Sequence, residues 1–458
     1  MIRKEGGLPR HSNSPSGSAA PYRALAVAQS LLFWAIVFLP FQQALTLDLG
    51  FPLKITEILA IAGIAAALVA YRHRRRFTVP VWLIVAIGGV VILSSCWNLL
   101  AGSAVDASAE MYPRGVTFDL LLYTGYAGFA LAFCITIGLF MDAKQVLKAF
   151  AWAVRLAALY VVLQLVLWSF GATLLEVVNG NIQLGSLYGL RLPRNGPFLE
   201  GNYLGFFAIA GFFATLKTRD WVGAGLAALL FFYSQSTSAF VAACGAAVAI
   251  VVLRPTRRKA LIAGIAVVVV VAIAAIVPPV TRFVTAQLTK LGVIENNLGE
   301  AFGYSLRGRS ANAETGFAMA WGHPIFGVGQ GRYAAHYWDY LDRSGLPDNF
   351  GKNVVRPIAN NVYAQIAAET GFIALLIFAV LLGYLILRAR KEGDATVGLI
   401  VATAVGLIAF PAWTGLPIWT VIGVVIVLVS APLLPSADES AEPEPALPGS
   451  HTIEREEE

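Results

Sequence analysis

Charge and cysteine are both scarce in this chain. Charged residues make up 13% of it and hydrophobic residues 57%, against roughly 25% charged in a soluble domain. That excludes an ordinary water-soluble domain. The three cysteines, Cys96, Cys134 and Cys244, all lie in apolar runs. They read as small buried hydrophobes, with no disulfide framework and no metal site. Metal-ligand spacing, a P-loop, a nucleophile elbow and a dinucleotide fingerprint are all missing, so no cofactor is expected. Alternating ten-residue strands are missing too, which excludes a transmembrane barrel.

What the chain has in quantity is helix-length apolar sequence, about a dozen segments between Ala24 and Leu434. Apolar runs of this kind cross the ~30 Å hydrocarbon layer. Backbone groups in lipid must be satisfied within the segment, so each span is expected to be α-helical. We place spans at roughly 24–46, 52–71, 79–98, 117–140, 146–170, 202–217, 221–235, 237–253, 259–281, 359–388, 396–412 and 415–434. The expected class is an all-α polytopic membrane protein with about 12 transmembrane helices. No cleavable signal peptide is expected, because residues 1–23 are polar and basic and the first apolar run is long enough to span.

Orientation follows the excess of Lys and Arg on cytoplasmic loops. Basic clusters fall at Arg3/Lys4/Arg10/Arg23, His73–Arg76, Lys144/Lys148, Lys217/Arg219, Arg254–Lys259 and Arg388–Lys391. Each lies at the amino terminus or in an even gap between spans. All six therefore fall on one side, and both termini are expected in the cytoplasm. The net charge of +6 then reflects membrane anchoring, and no nucleic acid is implied. The layout is a cytoplasmic tail (1–23), nine spans (24–281) with an outer loop at 171–201, a large periplasmic loop (282–358), three spans (359–434) and a disordered acidic tail (435–458). The protein is expected in the bacterial inner membrane.

The outer loops hold the candidate chemistry. Arg191 and Arg194 stand at the edge of a span, followed by Glu200 and Asn202. Guanidinium groups suit phosphate oxygens, and they suit equally the role of interfacial anchors that snorkel to lipid phosphate. The large loop carries Arg307, Arg309, Arg332, Arg343 and Arg356. A short helix is expected over Ser310–Trp321, ended by the glycine-rich Gly327–Gly331. That stretch could approach a phosphate through its amides, but a plain helix-ending turn is favoured. Tyr333–Asp342 is aromatic and acidic, and suits either sugar rings or the membrane surface. Asn361, Gln365 and Glu369 share one helix face at the mouth of the tenth span. A polar stripe there reads as a site or as a helix–helix hydrogen-bonding seam. Lys54 and Glu57 are expected to pair, and Arg155 to snorkel or to meet a buried polar group.

In order and spacing these phrases resemble one family. Arg309, then Gly322-His-Pro-Ile-Phe-Gly-Val-Gly329, then Asn361-Val-Tyr363-Ala-Gln365…Glu369-Thr-Gly371, with Arg194-Asn-Gly196…Asn202 upstream, is similar to the O-antigen ligase/O-antigen polymerase superfamily. The resemblance implies a GT-C-like, inverting, metal-independent glycosyltransferase. It implies a donor glycan on undecaprenyl diphosphate, a glycan or lipid-linked acceptor, and membrane lipid as partners. Arginines at 191, 194 and 309 would bind the diphosphate, with Arg332 and Arg356 behind them. The face of Asn361, Gln365 and Glu369 would position the acceptor and its hydroxyl, with Glu369 or Glu200 as base, Asn360 and Asn361 beside them in the catalytic set, and Tyr363 and Gln365 as substrate contacts. His336 and Asp339 are further candidates for the base. Two departures stand out. Asn360 occupies the place of the family's His, and Pro193 stands where the upstream arginine is expected. Both tilt the expectation toward a polymerase. The competing reading is a transporter or flippase of an anionic or lipid-linked substrate. It predicts two similar halves, whereas the chain shows no internal repeat and gathers its polar groups at the outer face.

Overall fold

The computed structural model describes residues 19–42, 46–48, 52–101, 108, 110–171, 182–187, 190–259, 261–262, 264–265, 272, 276–291, 293–294, 299–344, 346, 350 and 354–430. The described helices are α1 (Ala19–Val37), α2 (Ile55–Val69), α3 (Val79–Leu100), α4 (Val116–Phe140), α5 (Ala143–Ser169), α6 (Gly201–Lys217), α7 (Trp221–Ser234), α8 (Thr237–Leu253), α9 (Pro278–Lys290), α10 (Gly299–Gly322), α11 (Tyr333–Tyr340), α12 (Val362–Glu392), α13 (Asp394–Gly406) and α14 (Leu416–Ser430).

Helices α3, α4, α5 and α12 are long and apolar enough to cross a membrane, and α2, α7, α8, α13, α14 and most of α1 are shorter apolar helices. The architecture is that of an all-α membrane protein. Apolar side chains such as Leu68, Val69, Leu100, Leu159 and Leu376 face outward, as lipid contact requires. Packing between helices uses small residues, the usual device where no water drives association. Gly138 meets Ile426, and Gly423 meets Ile137, so close that a Cβ would lie 3.1 and 3.2 Å from them. Between them α4 and α14 seal the middle of the bundle, and Leu416–Val429 are buried throughout.

Helix ends follow local chemistry. Asp142 and Gln145 form a reciprocal capping box at α5, with Gln145 N–H donating to Asp142 at 2.8 Å. Ser236 caps α8 and Asn361 caps α12 through their side-chain oxygens. The segments expected as spans two to eight coincide with α2–α8 to within a few residues. The first is shorter than expected, ending at Val37 in a turn. About half of the ninth, 259–281, lies outside the described residues, as do the whole tails at 1–18 and 431–458. The tenth starts late, at Val362, because Pro357–Asn361 run on as irregular backbone. Two short hairpins interrupt the helices. Strand β1 (Leu47–Asp48) pairs antiparallel with β2 (Pro52–Leu53), and β3 (Leu184–Leu187) with β4 (Leu190–Pro193), with Ser186 opposite Arg191.

Several of the basic gaps meet helix ends. Arg75 N–H donates to the last-turn carbonyl of Leu139. Arg254 and Lys259 pair with Asp394 at 2.9 and 2.7 Å, and Lys217 donates to the Glu392 carbonyl. Arg155 meets Asp220 at 2.8 Å, and Lys54 meets Glu57 at 3.2 Å. The cysteines depart from expectation: Cys134 is buried, but Cys96 and Cys244 are exposed on the bundle's outside. In lipid a small apolar thiol gains nothing by turning inward, and the inner side of α3 is occupied by Ser94, Ser95 and Asn98.

Candidate active site

The upstream arginine sits in a built corner. After β4 the chain turns through Gly196, whose φ of +55° suits glycine. Buried Asn195 holds the turn, donating to the Phe198 carbonyl at 2.7 Å and accepting from Gln183 N–H at 3.3 Å. Gln183 in turn accepts from Gly201 N–H at 2.8 Å. Arg194 leaves this turn half-buried, lies against Gly185 of β3, and reaches the Ser234 carbonyl at the far end of α7. Gly201 carries no Cβ where one would stand 2.7 Å from that same carbonyl oxygen. Glu200 takes the N-cap position of α6 without spending its carboxylate on the cap.

The corner is electrically tense. Burial lowers the proton affinity of Arg194, Glu200 raises it, and Arg309 lowers it again. The guanidinium stays charged in any case. Arg309 therefore lies close enough to Arg194 to repel it, although the two come from different outer loops. The expected short helix over Ser310–Trp321 extends back to Gly299, so Arg307 and Arg309 both stand on α10. Arg309 is half-buried and Arg307 exposed. Two turns on, Gly316 packs directly on Ala364 of α12, a Cβ there lying 3.1 Å away. Among the described ion pairs none involves Arg191, Arg194 or Arg309. Arg191 is exposed on β4, and its carbonyl accepts from the Trp168 indole at 3.1 Å.

The glycine-rich phrase does something other than cradle an anion. At Gly371 the backbone of α12 leaves helical geometry, with φ +84° and ψ 175°. Carbonyls in the preceding turn lose their helical partners. Val328 and Gly329 N–H supply new ones, donating to Ala368 and Glu369 carbonyls at 2.8 and 3.1 Å, while Phe372 N–H donates to Pro324 at 2.8 Å. Ser94 of α3 closes the joint by donating to the Phe326 carbonyl at 2.5 Å and to that of Glu369 at 3.2 Å. Gly327, Gly329 and Gly331 all have positive φ, and a Cβ on any of them would strike α12, α3/α4 or Tyr123. These amides are committed to α12, which fits the favoured helix-ending turn and not a phosphate loop.

The polar stripe on α12 is turned inward. Gln365 donates to Glu369 at 3.3 Å, and Trp413, from the loop after α13, donates its backbone N–H to Gln365 at 3.0 Å and its indole to Glu369 at 3.3 Å. Glu369 keeps only 2% of its surface exposed. Asn361 is the helix cap, accepting from Ala364 N–H at 3.1 Å. Tyr363 points to α13 and donates to the Ala404 carbonyl at 2.6 Å. The hydrogen-bonding seam is thus the arrangement found. Asn360 takes a left-handed conformation, φ +53°, which Asn tolerates better than most residues.

Behind the joint lies a second charged cluster. Arg356 pairs with buried Asp119 of α4 at 2.7 Å and stands over the rings of Tyr112 and Tyr123, 4.7 and 5.1 Å from their centroids. Tyr112 donates to the Gly331 carbonyl at 2.9 Å, and burial pushes its phenol up to about 12, so the proton stays on. Arg332 is 4% exposed and donates to the Asn98 carbonyl at 3.3 Å. Both arginines are built into the fold. His336 is half-buried, 3.9 Å from Asp339 and near His323. Burial first and then His323 lower its pKa, against a raising pull from Asp339.

Asp119, Tyr112, Tyr123, Ser94 and Trp413 escaped sequence reasoning. Asp119 had a signal, as an ionisable residue just inside an apolar run. The others had none, since an interfacial Tyr or Trp is commonplace in membrane proteins.

Residues 222–379 match the family model described as O-Antigen ligase. Over that stretch the chain is similar to the O-antigen ligase family. The match runs from α7 into α12 and takes in Arg309, the glycine-rich joint and the Asn361–Gly371 face. It leaves Arg191, Arg194 and Glu200 upstream. The domain supports a glycosyl-transferring membrane enzyme of O-antigen or polysaccharide assembly. No curated protein matches the chain.

Proposed function

We propose that the chain transfers or polymerises glycan carried on undecaprenyl diphosphate, on the periplasmic face of the bacterial inner membrane. One observation carries this reading. Arg194 and Arg309 come from separate loops, the Arg309 charge acts on Arg194 alongside that of Glu200, and neither arginine takes part in an ion pair among the described residues. Two cations set against the Glu200 carboxylate leave net positive charge in the corner, which suits an anionic ligand, and a diphosphate offers matching oxygens. The Arg254 and Lys259 pairs with Asp394 gather basic gaps at one end of the helices, and the excess of Lys and Arg on cytoplasmic loops supports an arginine corner outside the cell with both termini inside.

The acceptor hydroxyl attacks the anomeric carbon from the face opposite the diphosphate. The new glycosidic C–O bond forms as the bond to the leaving phosphate oxygen breaks, which inverts the configuration. The carrier departs as its diphosphate. Fixed guanidinium groups at 194 and 309, with Arg191 at the exposed rim, stabilise charge that grows on that oxygen. The hydroxyl proton goes to a carboxylate, and Glu200, which makes no side-chain cap hydrogen bond and acts on Arg194, is the candidate beside the corner. Glu369, enclosed by donors, ties α12 to the segment after α13. The acceptor face is then formed by residues near Asn360 and the α10–α12 contact.

The test is chain length or transfer of a lipid-linked oligosaccharide in membranes containing Arg194→Ala, Arg309→Ala and Arg307→Ala at matched protein levels. The first two should lose about 10²-fold or more in rate, and Arg307→Ala should stay near the parent. Full activity of Arg309→Ala would remove the paired-arginine site.

A further inference from the structure

A second charged cavity lies at the opposite end of α5. It has a volume of about 440 Å³ and is lined by Lys144, Lys148, Trp152 and Arg155 of α5, with Thr218 and Asp220 of the α6–α7 turn. Lys144, Lys148 and Arg155 are spaced four and then seven residues apart, so they fall on one helix face. Arg155 is held by Asp220 at 2.8 Å, and its guanidinium lies 6.0 Å from the Trp152 ring. Lys144 and Lys148 are exposed, and neither takes part in any of the described ion pairs. The rest of the lining is apolar, from Ala143, Leu147 and Ala151.

This composition fits one occupant. Cations at the rim suit a phosphate, and an apolar floor with an exposed Trp152 suits the glycerol and upper acyl region beneath it. The opening lies in the first turns of an apolar helix long enough to cross the bilayer, at the depth where headgroups sit. It is remote from the arginine corner, which adjoins the other end of α5 through Trp168 and Arg191. Basic pockets between membrane helices on the cytoplasmic side bind anionic headgroups. We propose that this cavity is a binding site for an anionic phospholipid, with Lys144 and Lys148 on the phosphate and Trp152 against the chains. Arg155, neutralised by Asp220, acts as the wall that ties the cavity to the α6–α7 turn.

The experiment uses the full chain in phosphatidylcholine nanodiscs. Phosphatidylglycerol, phosphatidylcholine and inorganic phosphate are added separately, and bound lipid is read by native mass spectrometry with thermal unfolding in parallel. Phosphatidylglycerol should bind and raise the unfolding temperature, and phosphatidylcholine should not. Lys144→Gln/Lys148→Gln should weaken that binding about thirty-fold, two headgroup charges being removed. Lys144→Arg/Lys148→Arg should retain it. Should the glutamine variant fail to fold, Trp152→Ala in the arginine background reads the same cavity, and weaker lipid binding there supports the assignment. Unchanged phosphatidylglycerol binding in the glutamine variant, or in Trp152→Ala if that substitutes for it, overturns the proposal. So does equal stabilisation by inorganic phosphate, which would make this a soluble-anion site.

Discussion

Gly327→Ala should unlatch the joint between the outer loop and α12. Gly327 has φ +63°, and a Cβ there would lie 2.5 Å from the Ala368 carbonyl oxygen, 2.5 Å from the Glu369 carbonyl carbon and 2.6 Å from the Thr370 nitrogen. All three are backbone atoms, so no side-chain rotation gives relief. Holding an alanine left-handed costs ~1–2 kcal/mol. Backing away from α12 also breaks the Val328–Ala368 and Gly329–Glu369 hydrogen bonds, 2.8 and 3.1 Å long, at about 1 kcal/mol each. The expected loss is about 3–4 kcal/mol, a large part of the stability of most domains. The assay is reversible unfolding of the purified full chain in detergent, with folded yield in membranes as a second readout. Gly225→Ala is the control. It lies in α7 with nothing within 4 Å of the added methyl, and should be neutral or stabilising by up to ~1 kcal/mol. If Gly327→Ala unfolds like the parent, the latch is not what holds the loop, and the reasoning fails.

Further outcomes separate the carboxylates. Glu200→Gln should cost roughly 10²-fold or more in transfer rate with unfolding unchanged. Glu369→Gln should lower stability by ~1–3 kcal/mol, because its new NH₂ group faces donors; a stable, inactive Glu369→Gln variant would reverse the two roles. Asp119→Asn should destabilise by about 2 kcal/mol. That is below the ~3–5 kcal/mol of a fully buried broken pair, since the Arg356 side chain keeps 30% exposure. Adding Arg356→Met should recover part of the loss in a double-mutant cycle, and strict additivity would mean the pair is not coupled. His336 titrates lower in the fold than its ordinary 6.5. The unfolded chain therefore binds more protons below about pH 6.5, and stability is present above that pH and lost as pH falls toward the folded value. His336→Gln should flatten that acid-side loss in a pH series of unfolding temperatures, and an unchanged profile would refute the assignment.

Much of the scaffold was readable before any coordinates. Runs such as 79–98 and 237–253 announce themselves because lipid demands about twenty apolar residues with an internally bonded backbone. The basic gaps at Lys217, Arg254 and Asp394's neighbours were equally plain, and the fold gathers them. The candidate arginines were visible as cations in the outer loops. Which partner each would meet was not. All look alike in one dimension, yet the fold gives Arg356 the Asp119 carboxylate, Arg332 the Asn98 carbonyl and Arg194 the Ser234 carbonyl.

Composition and periodicity alone settled that the chain is helical, apolar and membrane-bound, because those properties depend only on what each segment must satisfy locally. Tertiary contacts decided the rest. Gly371 could have been an ordinary helix glycine, and becomes a break only because Gly327–Gly329 arrive to receive its stranded carbonyls. Glu369 stands on a polar stripe in the sequence, and only the fold brings the Trp413 indole onto its carboxylate. Charges and glycines take their meaning from partners far along the chain, and no local pattern names those partners.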